Sequence, residues 1–374
     1  MKLTDLLTPQ VLVDRARLLA NIDRMQASAD ACTVALRPHA KTHKIPVVAK
    51  WQIERGAVGI CCAKIGEAEV FAEAGIEDIR LPYPVNPVNA PRLLALMDRC
   101  RVSIIVDHLA VARGWSGVMQ TSGRTLDVLV KVDVGTNRCG IAPTLPGSLR
   151  FVQHVATLPG LRLRGLLSHA GHGYLAASEH ALAQIAGEEA DLLNALSDEA
   201  CESGIAIEEI SVGATPTARF SVSEGGVTEL RPGTYAYFDR TQVALGAARI
   251  EDCALTVLAM VVSKPAADRV VLDCGSKTLS ADPPHGFDRP EGYGAVFCDL
   301  DASAVDANLL VEKLSEEHAV VRARSGSTRL EPGECVRVLP NHVCPVSNLV
   351  DSVRLIEGAD VIDTLAVSAR GRIV

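Results

Sequence analysis

Between residues 34 and 229, short apolar runs alternate with longer stretches whose apolar residues recur at helical spacing. The runs 33–36, 58–62, 79–81, 102–106, 126–132, 163–167 and 208–212 read as strands, with 227–230 as a further one. The stretches 44–55, 66–74, 90–99, 148–156 and 178–203 read as helices, the last carrying acids on the face opposite its apolar one. A strand then a helix, repeated about eight times over roughly 200 residues, requires a parallel sheet with crossover helices; the repeat count favours a closed eight-stranded barrel over an open sheet. After residue 246 the texture changes. The runs 255–262, 270–272, 295–297, 309–311, 336–339 and 352–355 are β-rich and separated by Pro, Gly, Asp and Ser, with little helical periodicity. The pattern predicts a barrel at 15–243 and a mainly antiparallel β domain at 244–374 that takes in the N-terminal segment 1–14. No low-complexity linker separates the two, so they are expected to share an interface.

Composition narrows the picture. With 48% apolar and 22% charged residues, disordered and fibrous classes are excluded. Net charge is −8 with no basic patch, which argues against a nucleic-acid partner. Aromatics are only 3%, so the core must be aliphatic. The apolar run 254–262, broken by Thr256, falls far short of the ~20 residues of a membrane helix, and Asp5 stands where a secretory signal would be apolar. Eleven scattered cysteines without a CxxC pair read as reduced thiols of a cytoplasmic protein.

Five segments carry side chains with chemistry. Arg37-Pro38-His39-Ala40-Lys41-Thr42-His43-Lys44 follows the first barrel strand, and the C-terminal ends of barrel strands collect reactive groups. An amine held there, partly dry among other cations, sheds its proton more readily and turns nucleophilic, as a Schiff-base lysine must; a solvated basic helix start is the plainer reading. Arg138, in the glycine-flanked loop after Lys131, either binds an oxyanion or is simply exposed. Ser168-His169-Ala170-Gly171-His172-Gly173-Tyr174, with His180 six residues on, offers histidines for acid–base work, at least one of them structural. Its formal fit to a dinucleotide GxGxxG/A pattern is rejected, because it lies in mid-chain with two histidines crowding the turn, and a helix follows it. Gly213 with Thr215, and Gly233 with Thr234, sit in turns after late strands, where barrels place phosphate sites; plain connecting turns are the alternative. On a strand, His342 and Cys344 would share one face. An imidazole and a thiolate suit Zn²⁺, yet two ligands fall short of the usual three or four, and a buried His and Cys on an apolar face is the alternative. Trp51 and Trp115 read as packing residues, and adjacent Cys61 and Cys62 cannot share a strand face.

These segments, with TPQVLVD near the start, VLDCGSKTLS and SEEH further on, and the full PNHVCPVSNL stretch, resemble in order the D-threonine aldolase / D-serine dehydratase family over essentially the whole chain. RPHAKTHK together with NHVCP is the most specific part of the match. The family comprises pyridoxal-phosphate (PLP) enzymes with an alanine-racemase-like fold, a (β/α)8 barrel plus a β domain. The resemblance implies that Lys41 binds PLP covalently, that Arg138 lies by its phenolic oxygen and Tyr174 by its pyridine nitrogen. It implies a phosphate cradle at Gly213, Thr215, Gly233 and Thr234, and a divalent metal on His342 and Cys344. It also implies a homodimer acting on a small D-3-hydroxy amino acid. The expected reaction is retro-aldol cleavage of D-threonine to glycine and acetaldehyde. Elimination from D-serine or 3-hydroxyaspartate, giving a 2-oxo acid and ammonia, is the second reading; a non-catalytic PLP-binding protein is the third, and the β domain counts against it. His180 matches a histidine of the family's aldolases near the metal and resembles a base for the β-hydroxyl. The His-x-Cys pair instead matches the dehydratase zinc pair. A thiolate favours Zn²⁺ and a carboxylate Mn²⁺ or Mg²⁺.

Overall fold

The computed structural model describes residues 1–144, 147–287 and 289–374. The first strand, β1 (Gln10–Asp14), leads into the helix Arg15–Ala31, whose Asp14 N-cap accepts from the Arg17 N–H. Eight strands follow: β2 (Ala35–Leu36), β3 (Ile60–Cys61), β4 (Asp78–Pro84), β5 (Arg101–Val106), β6 (Leu126–Lys131), β7 (Leu161–Leu167), β8 (Glu209–Val212) and β9 (Glu229–Leu230). They pair in parallel in the order β2-β9-β8-β7-β6-β5-β4-β3. The two ends then meet. His39 bridges Cys61, the Val58 N–H donates to Leu36 O at 2.9 Å and the Cys61 N–H to Pro38 O at 2.8 Å. The sheet therefore closes into the expected barrel.

Alternation along the strands builds two layers. Val102, Ile104 and Val106 of β5, and Leu126, Val128 and Val130 of β6, pack outward with Phe71, Leu93, Trp115, Val152 and Leu193 of the surrounding helices. Ile105, Leu129 and Leu167 form a separate small cluster. Polar side chains occupy the interior beside them. Arg80 on β4 donates to Ser103 on β5 (2.9 Å) and to Glu209 on β8 (2.6 Å), and pairs with Glu229 on β9. Strand β4 does not neighbour β8 or β9, so these groups meet across the barrel. Arg37 joins them, to Glu229 at 2.7 Å and Asp78 at 2.5 Å.

The helices predicted from periodicity are present as Pro46–Glu54, Ile65–Glu73, Ala90–Met97, Gly147–Thr157 and Glu179–Glu202. Two others, Arg15–Ala31 and Leu109–Ser122, were not read from the pattern. Trp115 is fully buried with its Nε1–H on Val85 O, a packing residue as expected. Among the described residues no helix is long and apolar enough to cross a membrane.

The second sheet comprises β10 (Leu255–Ala266), β11 (Arg269–Leu272), β12 (Gly294–Val296), β13 (Leu309–Leu314), β14 (Ala319–Ala323), β15 (Cys335–Pro340), β16 (Ser352–Glu357) and β17 (Asp360–Ala366), together with β1. Only the β1–β16 pair is parallel; β1 lies between β10 and β16, inside the sheet. Its apolar cluster takes in Leu18, Ile22, Ile45, Val48 and Tyr235 from the barrel side, so the expected interface is continuous core. One expectation is corrected here. His342 and Cys344 do not lie on a strand: β15 ends at Pro340, His342 is the N-cap of the helix Val343–Leu349, and Cys344 is in its first turn. Pro345, in the first turn, suits a helix start and could not have donated to a sheet ladder.

Candidate active site

The C-terminal ends of the barrel strands and the β domain enclose a cavity of about 420 Å³. Lys41, Arg138, Tyr174, Gly213, Thr215, Gly233, Thr234, His342 and Cys344 all line it. His180 does not: it is exposed in the first turn of Glu179–Glu202. Of the other histidines in that segment, His169 lines the cavity and His172 does not, although its ring lies against Gly135.

The barrel wall is cationic. Lys41 sits in a one-turn 3-10 helix, Ala40–Thr42, directly after β2. Lys131 ends β6 buried, its ammonium on Val132 O at 3.1 Å, and burial and then Arg231 push it down to about 8. Arg231 follows β9 and donates to Ser211 Oγ (2.5 Å) and Ser168 O. Arg138 is carried by a loop in which Asp133 Oδ1 accepts the Gly135 and Asn137 N–H groups, both at 3.1 Å. Thr136 of that loop donates to His169 O at 2.7 Å, tying it to the loop after β7. The histidines of this wall are kept neutral: burial, then Lys41, push His39 well below its usual value, and the same two causes push His169 down to about 3. Lys131 and Arg231 were missed as site residues, although both flank strand ends, the position that identified Lys41.

The turns after β8 and β9 form the floor. The Gly233 N–H donates to Thr215 Oγ1 at 3.2 Å. Gly213 has φ +156°, and a Cβ there would lie 2.8 Å from Arg231 N, so only glycine lets the two turns meet. Two hydroxyl-bearing turns beside four cations fit a dianionic phosphate.

The opposite wall comes from the β domain and the segment after Phe238. His342 Nδ1 bonds Asp282 Oδ2 at 2.7 Å, and the ring also lies beside the Cys344 thiol. Cys344 Sγ lies 3.3 Å from Thr42 Oγ1. Burial disfavours charge on both, yet each favours the other's charged form: the thiol raises His342, aided by Asp239 and Asp282, while His342 and then Lys41 draw Cys344 down. An imidazole backed by a carboxylate and a lowered thiol is a donor set suited to a divalent metal. Among the described residues no group of three or more His, Cys, Asp or Glu is arranged to hold one. The pair therefore suits a metal whose remaining positions go to water and substrate. Asp239 accepts from the Val343 N–H (3.1 Å) and fixes this helix start; burial pushes it up to about 6. Asp239, Gln242, Asp282 and His285 also line the cavity. Asp282 and His285 lie in a stretch without periodicity, and no sequence signal marked them.

Residues 13–241 match the family described as alanine racemase, N-terminal domain, and 254–356 match a serine dehydratase domain. The chain is 38% identical to a D-threonine aldolase of Arthrobacter sp, over 97% of this chain and 93% of that one. It is 33% identical to the D-threo-3-hydroxyaspartate dehydratase of Delftia sp. (strain HT23), over 90% of each. The solved Delftia structure superposes with a TM-score of 0.91 at 32% identity over 98% of both chains; a D-threo-3-hydroxyaspartate dehydratase carrying a cysteine-to-alanine mutation, in the metal-free form, gives 0.91 at 31% identity over 98% of both chains. The D-threonine aldolase from Filomicrobium marinum gives 0.89 at 30% identity, over 100% of this chain and 98% of that one.

Proposed function

The chain belongs to the family that joins an alanine racemase N-terminal domain to a serine dehydratase domain, a family of PLP-dependent D-amino acid lyases, and on that premise we propose that it cleaves D-3-hydroxy amino acids by a metal-assisted retro-aldol reaction. D-Threonine, giving glycine and acetaldehyde, is the reference substrate. The observation that carries the reading is the meeting of Lys41 and the His342–Cys344 pair across one cavity with a cationic barrel wall. Aldolase is placed before dehydratase because the 38% relative is a D-threonine aldolase. The His-x-Cys pair keeps elimination from D-serine or 3-hydroxyaspartate as the second reading, with the Delftia relative in its favour.

The roles follow from chemistry and position. Lys41 would hold PLP covalently and return a proton to the substrate Cα. Thr215, Thr234 and the Gly213 and Gly233 turns would hold the phosphate, Arg138 the phenolic oxygen and Tyr174 the pyridine nitrogen. PLP, when bound, supplies an electron sink for the pair left on Cα. His342 and Cys344 would hold a divalent metal (Zn²⁺, Mn²⁺ or Mg²⁺), and the metal-free form of the dehydratase cysteine mutant accords with that. The barrel at 15–243 supplies the cofactor groups, the β domain at 244–374 with 1–14 supplies the metal pair, and the protein works as a homodimer.

Product analysis tests this. Protein reconstituted with PLP and with Mn²⁺, Mg²⁺ or Zn²⁺ is given D-threonine, D-serine and their L-enantiomers. Glycine and acetaldehyde from D-threonine only, lost on adding chelator, is the expected result. A 2-oxo acid with ammonia would move the assignment to dehydratase. Lys41→Ala is expected to abolish the borohydride-stable PLP adduct seen by mass spectrometry.

A further inference from the structure

Two side chains that the roles above leave unused, Asn341 and Arg240, meet behind the metal pair. Asn341 stands between the end of β15 and His342 and is only 2% exposed. Its side-chain amide is fully engaged. Nδ2 donates to the carbonyls of Asp282 (3.2 Å) and Gly292 (3.0 Å). Oδ1 accepts from an Arg240 guanidinium nitrogen at 3.2 Å, and that nitrogen also reaches Gly292 O at 3.4 Å. Two acceptors on one side and a cationic donor on the other decide which way round the amide lies. Gly292 is the firm end of this arrangement, because the next residue, Tyr293, donates its N–H to Val311 O of β13 at 3.0 Å. Asp282 is the other end. Apart from Asn341, its backbone is held among the described residues only by its own N–H on Ser280 Oγ (3.1 Å), a local bond that travels with the stretch. The side chains of His342 and Asp282 are 39% and 46% exposed, so packing does not fix the carboxylate against the ring. Their 2.7 Å contact therefore depends on where the Asp282 backbone is kept.

A carboxylate on one nitrogen of a ligating imidazole fixes the ring's orientation and tautomer and makes the other nitrogen a stronger donor. We propose that Asn341 is a positioning residue of the metal pair: it holds the Asp282 backbone so that the carboxylate stays on His342, and thereby sets how tightly the pair takes a divalent metal. The proposal rests on the reading above in which His342 and Cys344 are metal ligands. The residue that leads the chain from β15 into His342 also reaches across to the partner of that ring. Two backbone positions 59 residues apart are thus tied by one amide. Arg240 steadies the amide from a fixed place. It follows Asp239, whose carboxylate accepts the Gln242 N–H (2.9 Å) and the Val343 N–H (3.1 Å) and so joins the helix Arg240–Ala244 to the helix Val343–Leu349. A plain staple of two loop ends would use the same hydrogen bonds, but would leave metal affinity untouched.

The test is a double-mutant cycle read in metal affinity rather than in activity. PLP-loaded, metal-free protein is titrated with Zn²⁺ against a chromophoric chelator, with Cys344→Ala marking any zinc bound elsewhere. Asp282→Asn is expected to weaken zinc binding about 10–100-fold, and Asn341→Ala about tenfold. In the Asp282→Asn background, Asn341→Ala should add less than about twofold, because the group it acts through is gone. Thermal melting of the metal-free proteins shows whether each variant is folded. If Asn341→Ala does not fold, Arg240→Met goes through the same cycle; Arg240 is only half-buried, and its removal frees the amide while leaving both donations possible. Its expected loss is smaller and should likewise vanish in the Asp282→Asn background. Wild-type affinity in Asp282→Asn, or in a folded Asn341→Ala, would overturn the proposal. So would a loss that persists in full when Asp282 is already Asn, since Asn341 would then act by another route. Zinc uptake that is unchanged in Cys344→Ala would instead sink the metal reading beneath it.

Discussion

A single buried histidine shows how the fold fixes protonation away from the reaction. His43 is fully buried, its ring edge-on to Phe71 and Tyr237 with centroids at 6.1 and 6.5 Å. Burial pulls it from 6.5 down to about 4, and its Nδ1 accepts the Ile45 N–H at 3.0 Å. The folded value lies below the unfolded one, so the native state binds fewer protons; stability is full above pH 6.5 and is lost as pH falls towards 4. Each such group contributes about 1.4 kcal/mol per pH unit in that window. Urea unfolding from pH 7 to 4.5 should therefore show a slope shallower by about that amount in His43→Gln; parallel slopes would refute the assignment. The same scale explains what was legible. Lys41, Arg138 and Tyr174 stand in segments with local signals, such as strand ends and glycine-flanked loops. Asp282 is recognisable only once His342 is seen 2.7 Å away, sixty residues along the chain.

At the scale of elements, the eight barrel strands were legible because each is a short apolar run bounded by polar residues. The missed helices have physical reasons. Arg15–Ala31 buries Leu18, Asn21, Ile22, Gln26 and Ala29, so two of its five inward positions are polar and the stripe is broken. Leu109–Ser122 contains Gly114 and Gly117 and reads as a loop, yet Gly114 is there because a Cβ would lie 2.7 Å from Pro87 Cγ. Strand β17 was not read for a different cause: it exposes most of its residues and shows little alternation. Between elements, the contact of the two floor turns is the tightest requirement. Gly213→Ala would press a methyl against the Arg231 backbone at 2.8 to 3.1 Å, in a backbone conformation that L-residues rarely adopt. The expected cost is about 1–3 kcal/mol. It should appear as a lower Tm and as PLP affinity weakened about tenfold or more, read by absorbance titration; unchanged affinity would remove these turns from the phosphate site.

Over the whole molecule, a chain of net charge −8 nevertheless carries a set of positive groups inward, in two tiers. The lower tier is the Arg37–Glu229–Arg80 network, and the upper is the cavity wall, joined to it where Ser211 bonds both Glu229 (2.5 Å) and Arg231 (2.5 Å). Burial would raise Glu229, but Arg80 and Arg37 hold it down to about 2. Its contribution is therefore present above pH 4.5 and lost as pH falls towards 2. Glu229→Gln removes the carboxylate that two buried guanidiniums share, leaving Arg37 with Asp78 and Arg80 with Glu209, and should cost about 3 kcal/mol, measured by chemical denaturation at pH 7; a loss below 1 kcal/mol would mean the network is hydrated. The two-part division of the chain was readable from texture, but the place of β1 was only partly so, because nothing local says which strands it joins. That place has a consequence for biosynthesis. Strand β1 leaves the ribosome before either of its neighbours and must wait for both, since Gln10 pairs with Leu258 and Leu12 with Arg354. At ordinary elongation rates the delay is on the order of tens of seconds. Throughout it the barrel can form while Val11 and Val13 remain uncovered, so the growing chain offers chaperones an apolar strand on the N-terminal side of the barrel.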